Sequence, residues 1–453
     1  MNTEALSTPL NFNPSCAKGY EDALEKTLVF TGVAVEIHPF EKRSEPMKDI
    51  KRRSAQQPPP LQGIRVLDLT RIIAGPYCAM VLGDLGAEII KIEQPKIGDE
   101  SRSWGPPWVG KTVSAYFTAV NRNKKSFTLN FKKPEGIGIF KKLAAKADVV
   151  LENFRPGTMD ELGIGYEILH EINPRLVYCD MTGYGTDGPY KDKPGVDVIV
   201  SAIGGLMAIT GSAEGEPVKV GVPLTDVLTG IYSFGAISSA LLLREKTGLG
   251  QRISCNLLAI QLATLINIGA NYLVGGIIPR RWGSAHPNIV PYEAHQASDG
   301  YLIFGIINER MWKSLCEVPE FWELRDDGRF ADNGKRIQNR QALKEIIDRI
   351  ISTKPIDEWI PMFDRAGIPC GPVNTFDRVF KDPQVLHSGL VQEVEHPQYG
   401  KVKVVGPPAA FSDSPIGIQG PPPLLGEHNR EILTGLLGHT EDEVEELRRK
   451  EVI

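Results

Sequence analysis

Between residues 61 and 181, short apolar runs alternate with longer amphipathic segments, and that alternation limits the chain to few folds. Residues 64–69 (I-R-V-L-D-L) read as a strand, Ala74-Gly75-Pro76 as a turn opening a helix over 77–85, and residues 88–92 (E-I-I-K-I) as a second strand. Strand, helix and strand within about thirty residues make a βαβ unit with a right-handed crossover. The pattern continues with a strand at 127–131, a helix at 134–147, a strand at 148–151, a helix at 159–172 and a strand at 175–181. Short, uniformly apolar strands belong to a parallel sheet covered on both faces, so the fold class is α/β.

Residues 222–244 carry an acid, Asp226, where an apolar segment turns into a small-residue helix closed by Arg244-Glu245-Lys246. Thr225 or Asp226 is placed to cap that helix, and the same N–H groups and helix dipole keep a carboxylate ionised. A plain cap and a carboxylate nucleophile both fit. A strand at 252–256 and a long helix over 257–278 follow. Ser, Thr and Gly in the first apolar stretch, and Gln261, Asn267 and Asn271 in the second, mark both as buried core helices, with no membrane partner.

At 453 residues the chain calls for two or three domains. Residues 1–60 read as a mobile extension ending in the polyproline linker Pro58-Pro59-Pro60, and its acids argue against a presequence. Residues 61–279 read as a large domain. Residues 280–375 read as a smaller α+β domain, with a strand at 300–306 and helices at 311–316, 341–352 and 356–366. Residues 376–453, with a strand at 402–405 and a helix at 441–450, return to the large domain. A net charge of −5 excludes a general nucleic-acid binder. Six cysteines without C-x-x-C and eight histidines without H-E-x-x-H indicate no metal.

Gly183-Tyr184-Gly185-Thr186-Asp187-Gly188 matches G-x-G-x-x-G, but Pro189 and Pro194 follow where a helix should open. Those glycines read instead as a loop over a ligand. Asn153-Phe154-Arg155 ends a strand, where α/β sheets bind ligands. Basic groups at 121–125 and at Lys191 and Lys193 favour a polyphosphate. Asp197 and Asp226 are two acids in apolar surroundings.

L-x-G-I-R-V-L-D-L-T-R-I-I-A-G-P from Leu61, G-D-L-G-A-E-I-I-K-I-E from Gly83, N-R-N-K-K-S from Asn121, E-N-F-R-P-G from Glu152, Thr225-Asp226, R-E-K-T-G-x-G-Q from Arg244 and P-P-L-L-G-E-H from Pro422 stand in one order along the chain. Together, over about 61–453, they resemble the class III CoA-transferases, a group that includes formyl-CoA and carnitine CoA-transferases and 2-methylacyl-CoA racemases. The resemblance implies a Rossmann-like large domain built from both chain ends, a small domain and an interlocked homodimer. It implies CoA thioesters as substrates, no permanently bound cofactor, and Asp226 as a nucleophile forming a mixed anhydride and then an aspartyl-CoA thioester. CoA contacts carried over are Ile73, Ala74, Leu129, Asn130, Asn153, Phe154, Arg155 and Lys193. A further contact, basic in the family, is Gln94 here.

Racemases of the group place a His beside the acid before the central helix; here Val196 precedes Asp197, which leaves an acyl-CoA epimerase as the alternative. Residues 98–107 and 280–287 are most similar to the branch that passes CoA from succinyl-CoA to a dicarboxylate such as glutarate, which implies a mitochondrial location, with a cytoplasmic one as the alternative. A dicarboxylate needs a cation for its non-reacting end, and Arg102 and Arg281 are the candidates.

Overall fold

The computed structural model describes residues 57–110 and 113–453. Its centre is a 6-stranded sheet in which every pairing is parallel. Numbering only the elements used below, the strands are β1 (Arg65–Asp68), β2 (Glu88–Glu93), β3 (Lys124–Thr128), β4 (Val149–Glu152), β5 (Val177–Thr182) and β6 (Arg252–Asn256). Their spatial order is β3-β2-β1-β4-β5-β6, so the winding reverses between β1 and β4. Sheets of this kind bind ligands at that reversal, beyond the carboxyl ends of the strands.

Alternate residues of each strand point to opposite faces. Leu67, Ile90, Phe127 and Val150 enter one core with helix α2 (Pro134–Ala144). Val66, Ile89, Val149 and Cys179 enter the other, with α1 (Ala74–Asp84) and Ile237, Ala240 and Leu241 of a long helix. The end of the chain completes the first core through Ile432, Leu433, Val444, Val452 and Ile453. It also covers the outer edge of β3: Thr128 N donates to Asn429 Oδ1 at 2.8 Å, and Asn130 N to Val452 O at 2.8 Å. An uncovered parallel edge would invite pairing with another chain. A further core surrounds the antiparallel strands β7 (Tyr292–Gln296), β8 (Tyr301–Gly305) and β9 (Cys370–Pro372), with Phe304, Trp312, Phe321, Trp359 and Phe363 inside it.

Four expectations need correction. The helix expected over 257–278 is two helices, Leu257–Ala263 and Ile266–Gly275, bent by 77°. Ile266 sits at φ 43°, and no glycine or proline signals the break. The two apolar stretches are not fully buried either. The helix Leu224–Thr247 buries one stripe, including Thr225, Thr229, Ser233, Ile237 and Arg244, and leaves Ile231, Tyr232 and Leu242 exposed. No residue of Ile266–Gly275 is buried. By length and composition, Leu224–Thr247 could cross a membrane. Its buried stripe instead lies on α1: a Cβ at Gly230 would come 2.7 Å from Ala74 O. Only a glycine permits that approach.

The third correction concerns the basic group at 121–125, which turns inward. Arg122 pairs with Asp84 at 2.6 and 2.9 Å, and Lys124 Nζ reaches Asp68 Oδ2 and Pro76 O, both at 2.9 Å. Lys125 pairs with Glu88 at 2.8 Å. Arg122 and Lys124 are consumed on α1 and β1, and Lys125 on β2. At the amino end, Gln57 N donates to Asp413 O and Pro59 packs on Gly86, so Pro58-Pro59-Pro60 belongs to the folded body. The rest of the expected extension lies outside the described residues.

Candidate active site

A cleft of about 1020 Å³ opens at the reversal of the sheet, lined by the segments that follow β1, β4 and β5. The segment after β1 is held by buried charge. Lys91 Nζ donates to Thr70 O at 2.8 Å and pairs with Asp99 Oδ2 at 2.9 Å, while the Asp99 carboxylate accepts from Ile72 N. Burial alone would raise the Asp68 and Asp99 carboxyls, yet Lys124 beside the first and Lys91 beside both hold them below the usual range. Asn153 clamps the same segment from β4: its Oδ1 accepts from Arg71 N at 3.0 Å and its Nδ2 donates to Arg71 O at 2.9 Å. Between these clamps Ile72 is forced to φ 72°. For a β-branched residue that costs about 1–3 kcal/mol, which only a rigid surround sustains. The strained turn presents Ile72, Ile73 and Ala74 to the cleft.

Asp226 reaches the same cleft from the first turn of α4, the helix Leu224–Thr247 introduced above (α3 is Asp197–Ile203). The capping expectation is corrected here. Pro223 is the N-cap residue, no side chain of its own caps the helix, and neither Thr225 nor Asp226 fills that role. Asp197 does so from a distance, its Oδ1 accepting from Thr225 N at 2.8 Å and Asp226 N at 3.2 Å. Thr225 is fully buried, its Oγ1 2.9 Å from Ser201 Oγ and 2.6 Å from Gln261 Oε1.

The expected stabilisation of the Asp226 anion is therefore reversed. The first-turn N–H groups are taken by Asp197, and burial followed by the Asp197 charge pushes the Asp226 carboxyl up to about 7. Such a carboxylate is more basic than usual and correspondingly more reactive toward an acyl carbon. Sequence reading missed its apolar neighbours. Tyr116 faces the two acids, with its phenol raised by burial, Asp226 and Asp197, and Trp104 packs edge-on to it at 5.2 Å. A reaction that uses the Asp226 anion should accelerate as pH rises through about 7 and level off above it. Single-turnover rates between pH 5.5 and 8.5 test this. Asp197→Asn keeps an acceptor for both amides but removes the charge, and should move the midpoint to lower pH.

Ile73, Ala74, Asn153, Phe154, Arg155 and Lys193 all line the cleft. Arg155 lies 3.7 Å from Asp192, and Lys193 Nζ sits 3.8 Å from the centre of the Tyr190 ring. The glycine motif shapes the wall: Gly183 and Gly195 approach so closely that a Cβ on Gly183 would meet the other's Cα at 2.6 Å. That contact brings the segment after β5 back to Asp197.

Four expected residues are not brought to this cleft. Leu129 lies in the core, and Asn130 binds the carboxyl-terminal segment. Arg102 is 7% exposed, with Nε and Nη2 on Glu93 at 2.8 and 2.7 Å and Nη1 on Pro423 O at 3.0 Å. Its whole fork is used. Arg281 donates to Ser212 O and Gly215 O, at 3.2 and 2.6 Å, and so pins a turn. The motif from Pro422 is likewise structural, Gly426 N donating to Ser126 Oγ at 2.9 Å.

Comparison with known proteins agrees with this architecture. Residues 61–429 match the family described as CoA-transferase family III. A succinyl-CoA:glutarate CoA-transferase of Mus musculus is 47% identical over 388 residues, 86% of this chain and 89% of the mouse protein. A succinate–glutarate CoA-transferase of Agrobacterium fabrum is 40% identical, covering 83% of this chain and 96% of its own. Among solved structures, a CAIB/BAIF family protein from Brucella suis superposes with a TM-score of 0.76 at 40% identity, over 84% of this chain and 100% of that one.

Proposed function

The chain belongs to CoA-transferase family III and is an enzyme that transfers CoA, and from that premise we propose that it carries CoA from succinyl-CoA to glutarate through a covalent intermediate on Asp226. The observation that supports the reading is a single raised carboxylate in a cleft that the Asn153–Arg155 segment and the cations Lys191 and Lys193 also line. The relatives named for glutarate supply the acid.

In the first step an Asp226 oxygen attacks the thioester carbon of succinyl-CoA, the C–S bond breaks, and CoA thiolate leaves behind a mixed anhydride. The thiolate then attacks the aspartyl carbonyl, the C–O bond to succinate breaks, and an aspartyl-CoA thioester remains. A glutarate carboxylate attacks that thioester and again expels the thiolate, which takes the glutaryl carbon. Glutaryl-CoA leaves and the Asp226 carboxylate is restored. No proton or water enters the balance, and one thioester is made for each one broken, so the complete transfer is close to isoenergetic. The apolar lining from Trp104, Tyr116, Met181 and Leu257 limits water that would hydrolyse the anhydride. Among the described residues no histidine lines the cleft, which weighs against the epimerase alternative.

Intact mass after incubation with succinyl-CoA tests the proposal. A CoA adduct, cleaved by hydroxylamine and discharged by glutarate, is expected. Exchange of the α-proton of a branched acyl-CoA without any adduct would overturn it.

The uncovered faces of α4 and Ile266–Gly275 support a homodimer. Leu273, Val274 and Ile278 are more than four-fifths exposed, an apolar area that a lone soluble chain rarely leaves open. Light scattering behind size exclusion should give twice the chain mass, with no monomer at micromolar concentration.

A further inference from the structure

We infer that Lys219 recognises the non-reacting carboxylate of the dicarboxylate, in the succinyl donor and in the acceptor alike; the inference rests on the transfer reading above. Both arginines expected for that task are occupied elsewhere, Arg102 by Glu93 and Arg281 by two carbonyls. Lys91 and Lys124 are buried in ion pairs beneath the sheet ends. The cations that line the cleft are Arg71, Arg155, Lys191, Lys193 and Lys219.

These five divide by position. Lys191, with Asp192 and Pro156, also lines a neighbouring cavity of about 340 Å³, which marks the end of the cleft on the β4 and β5 side. Arg155 and Lys193 flank Asp192 there, and Arg71 is engaged with Glu100 at 2.6 Å. Lys219 does not line that neighbouring cavity and stands on the segment that runs through Gly221 and Pro223 into Asp226. Its ammonium has no carboxylate partner among the described residues. It rests only on Val220 O at 3.3 Å and Gly221 O at 3.4 Å, bonds long enough to be given up without a large penalty.

The segment carrying Lys219 is anchored. Arg281 holds Ser212 O and Gly215 O, and Gly283 N donates to Gly211 O at 3.0 Å. Arg281 thus acts on the acid indirectly, as a positioning residue for the turn that leads to Lys219. An ammonium free of carboxylate partners among the described residues, in the same cleft as the nucleophile, fits the second charge of a short dicarboxylate.

The test uses the full-length enzyme with Lys219→Gln and Lys219→Arg. Glutarate is compared with valerate, which keeps the carbon chain but lacks the second carboxylate, and succinyl-CoA with butyryl-CoA. With butyryl-CoA as the donor, Lys219→Gln should raise KM for glutarate by about 10–100-fold with kcat little changed, and leave KM for valerate unaffected. Adduct formation should slow with succinyl-CoA but not with butyryl-CoA, and Lys219→Arg should recover most of the loss. Equal losses for both acids, or no loss for either, would overturn the inference. The wild type is read separately: no adduct with succinyl-CoA would overturn the transfer reading itself, and this inference with it.

Discussion

Asp226→Asn should lose CoA transfer by about 10⁴-fold or more while melting at a higher temperature than the native chain at pH 8. The loss follows from chemistry, because an amide cannot attack the thioester and restore a carboxylate. The gain follows from linkage. Burial and Asp197 raise the folded carboxyl to about 7, above the ordinary 3.8. A group raised in this way favours the folded state fully at pH values below its unfolded pKa, and that contribution disappears as pH rises through the folded value. At pH 8 the native protein therefore holds an anion in a site that disfavours it, and the amide relieves this. Discounted for partial solvent access, the gain is about 1–2 kcal/mol, a few degrees of melting temperature. At pH 5 the folded carboxyl is protonated while the unfolded one is largely ionised, so the gap between the two proteins should be smaller than at pH 8 and close only below about 3.8. Calorimetry at both pH values, with adduct mass on the same samples, checks the pair of expectations. Equal melting at pH 8 would mean that Asp226 is not held against its charge.

Arg102→Met should destabilise the fold by about 3–5 kcal/mol, because it strands Glu93 without its counter-charge in the interior. Glu93 is 4% exposed and also accepts from Ser126 Oγ and Asp99 N. Burial would raise its carboxyl, but Arg102 holds it below the usual range. Asp99 in turn holds Lys91 and Ile72 N, so the disturbance should spread to the strained turn and lower turnover as well. Adding Glu93→Gln removes the stranded charge while keeping acceptors, and should recover about half of the stability. Urea melts of the single and double variants measure this. An arginine that bound substrate would behave differently, raising KM for the acid with the melt unchanged.

Much of the sheet was legible in the chain. Residues 64–69 and 88–92 declared their strands because strands buried on both faces are mostly apolar along their length, whereas 252–256 is an edge strand with Arg252 and Ser254 exposed. The end of α4 was legible too: Gly248 adopts φ 77°, and its N–H closes on Arg244 O at 2.8 Å. The start of that helix near Asp226 was also marked by local pattern. The break at Thr264 left no trace, since neither glycine nor proline stands there, and a periodic apolar run looks alike whether straight or bent.

Charge was where local reading reached its limit. Arg102, Arg122, Lys124 and Arg281 look alike as letters, available cations near strand ends, and each is engaged by a partner distant in sequence or by main-chain carbonyls. Lys219 drew no notice in the sequence and has no carboxylate partner among the described residues that line the cleft. The amino-acid sequence by itself determined most of the strands and helices, though not the break after Ala263, and that Asp226 lies in the first turn of one helix, because these depend on neighbours a few residues apart. Tertiary structure alone decided which cations remain free, that Asp197 rather than Asp226 caps α4, and that the Asp226 carboxyl rises instead of falling. Pairing, burial and the field at a carboxylate depend on distances in space, and the order of residues does not contain those distances.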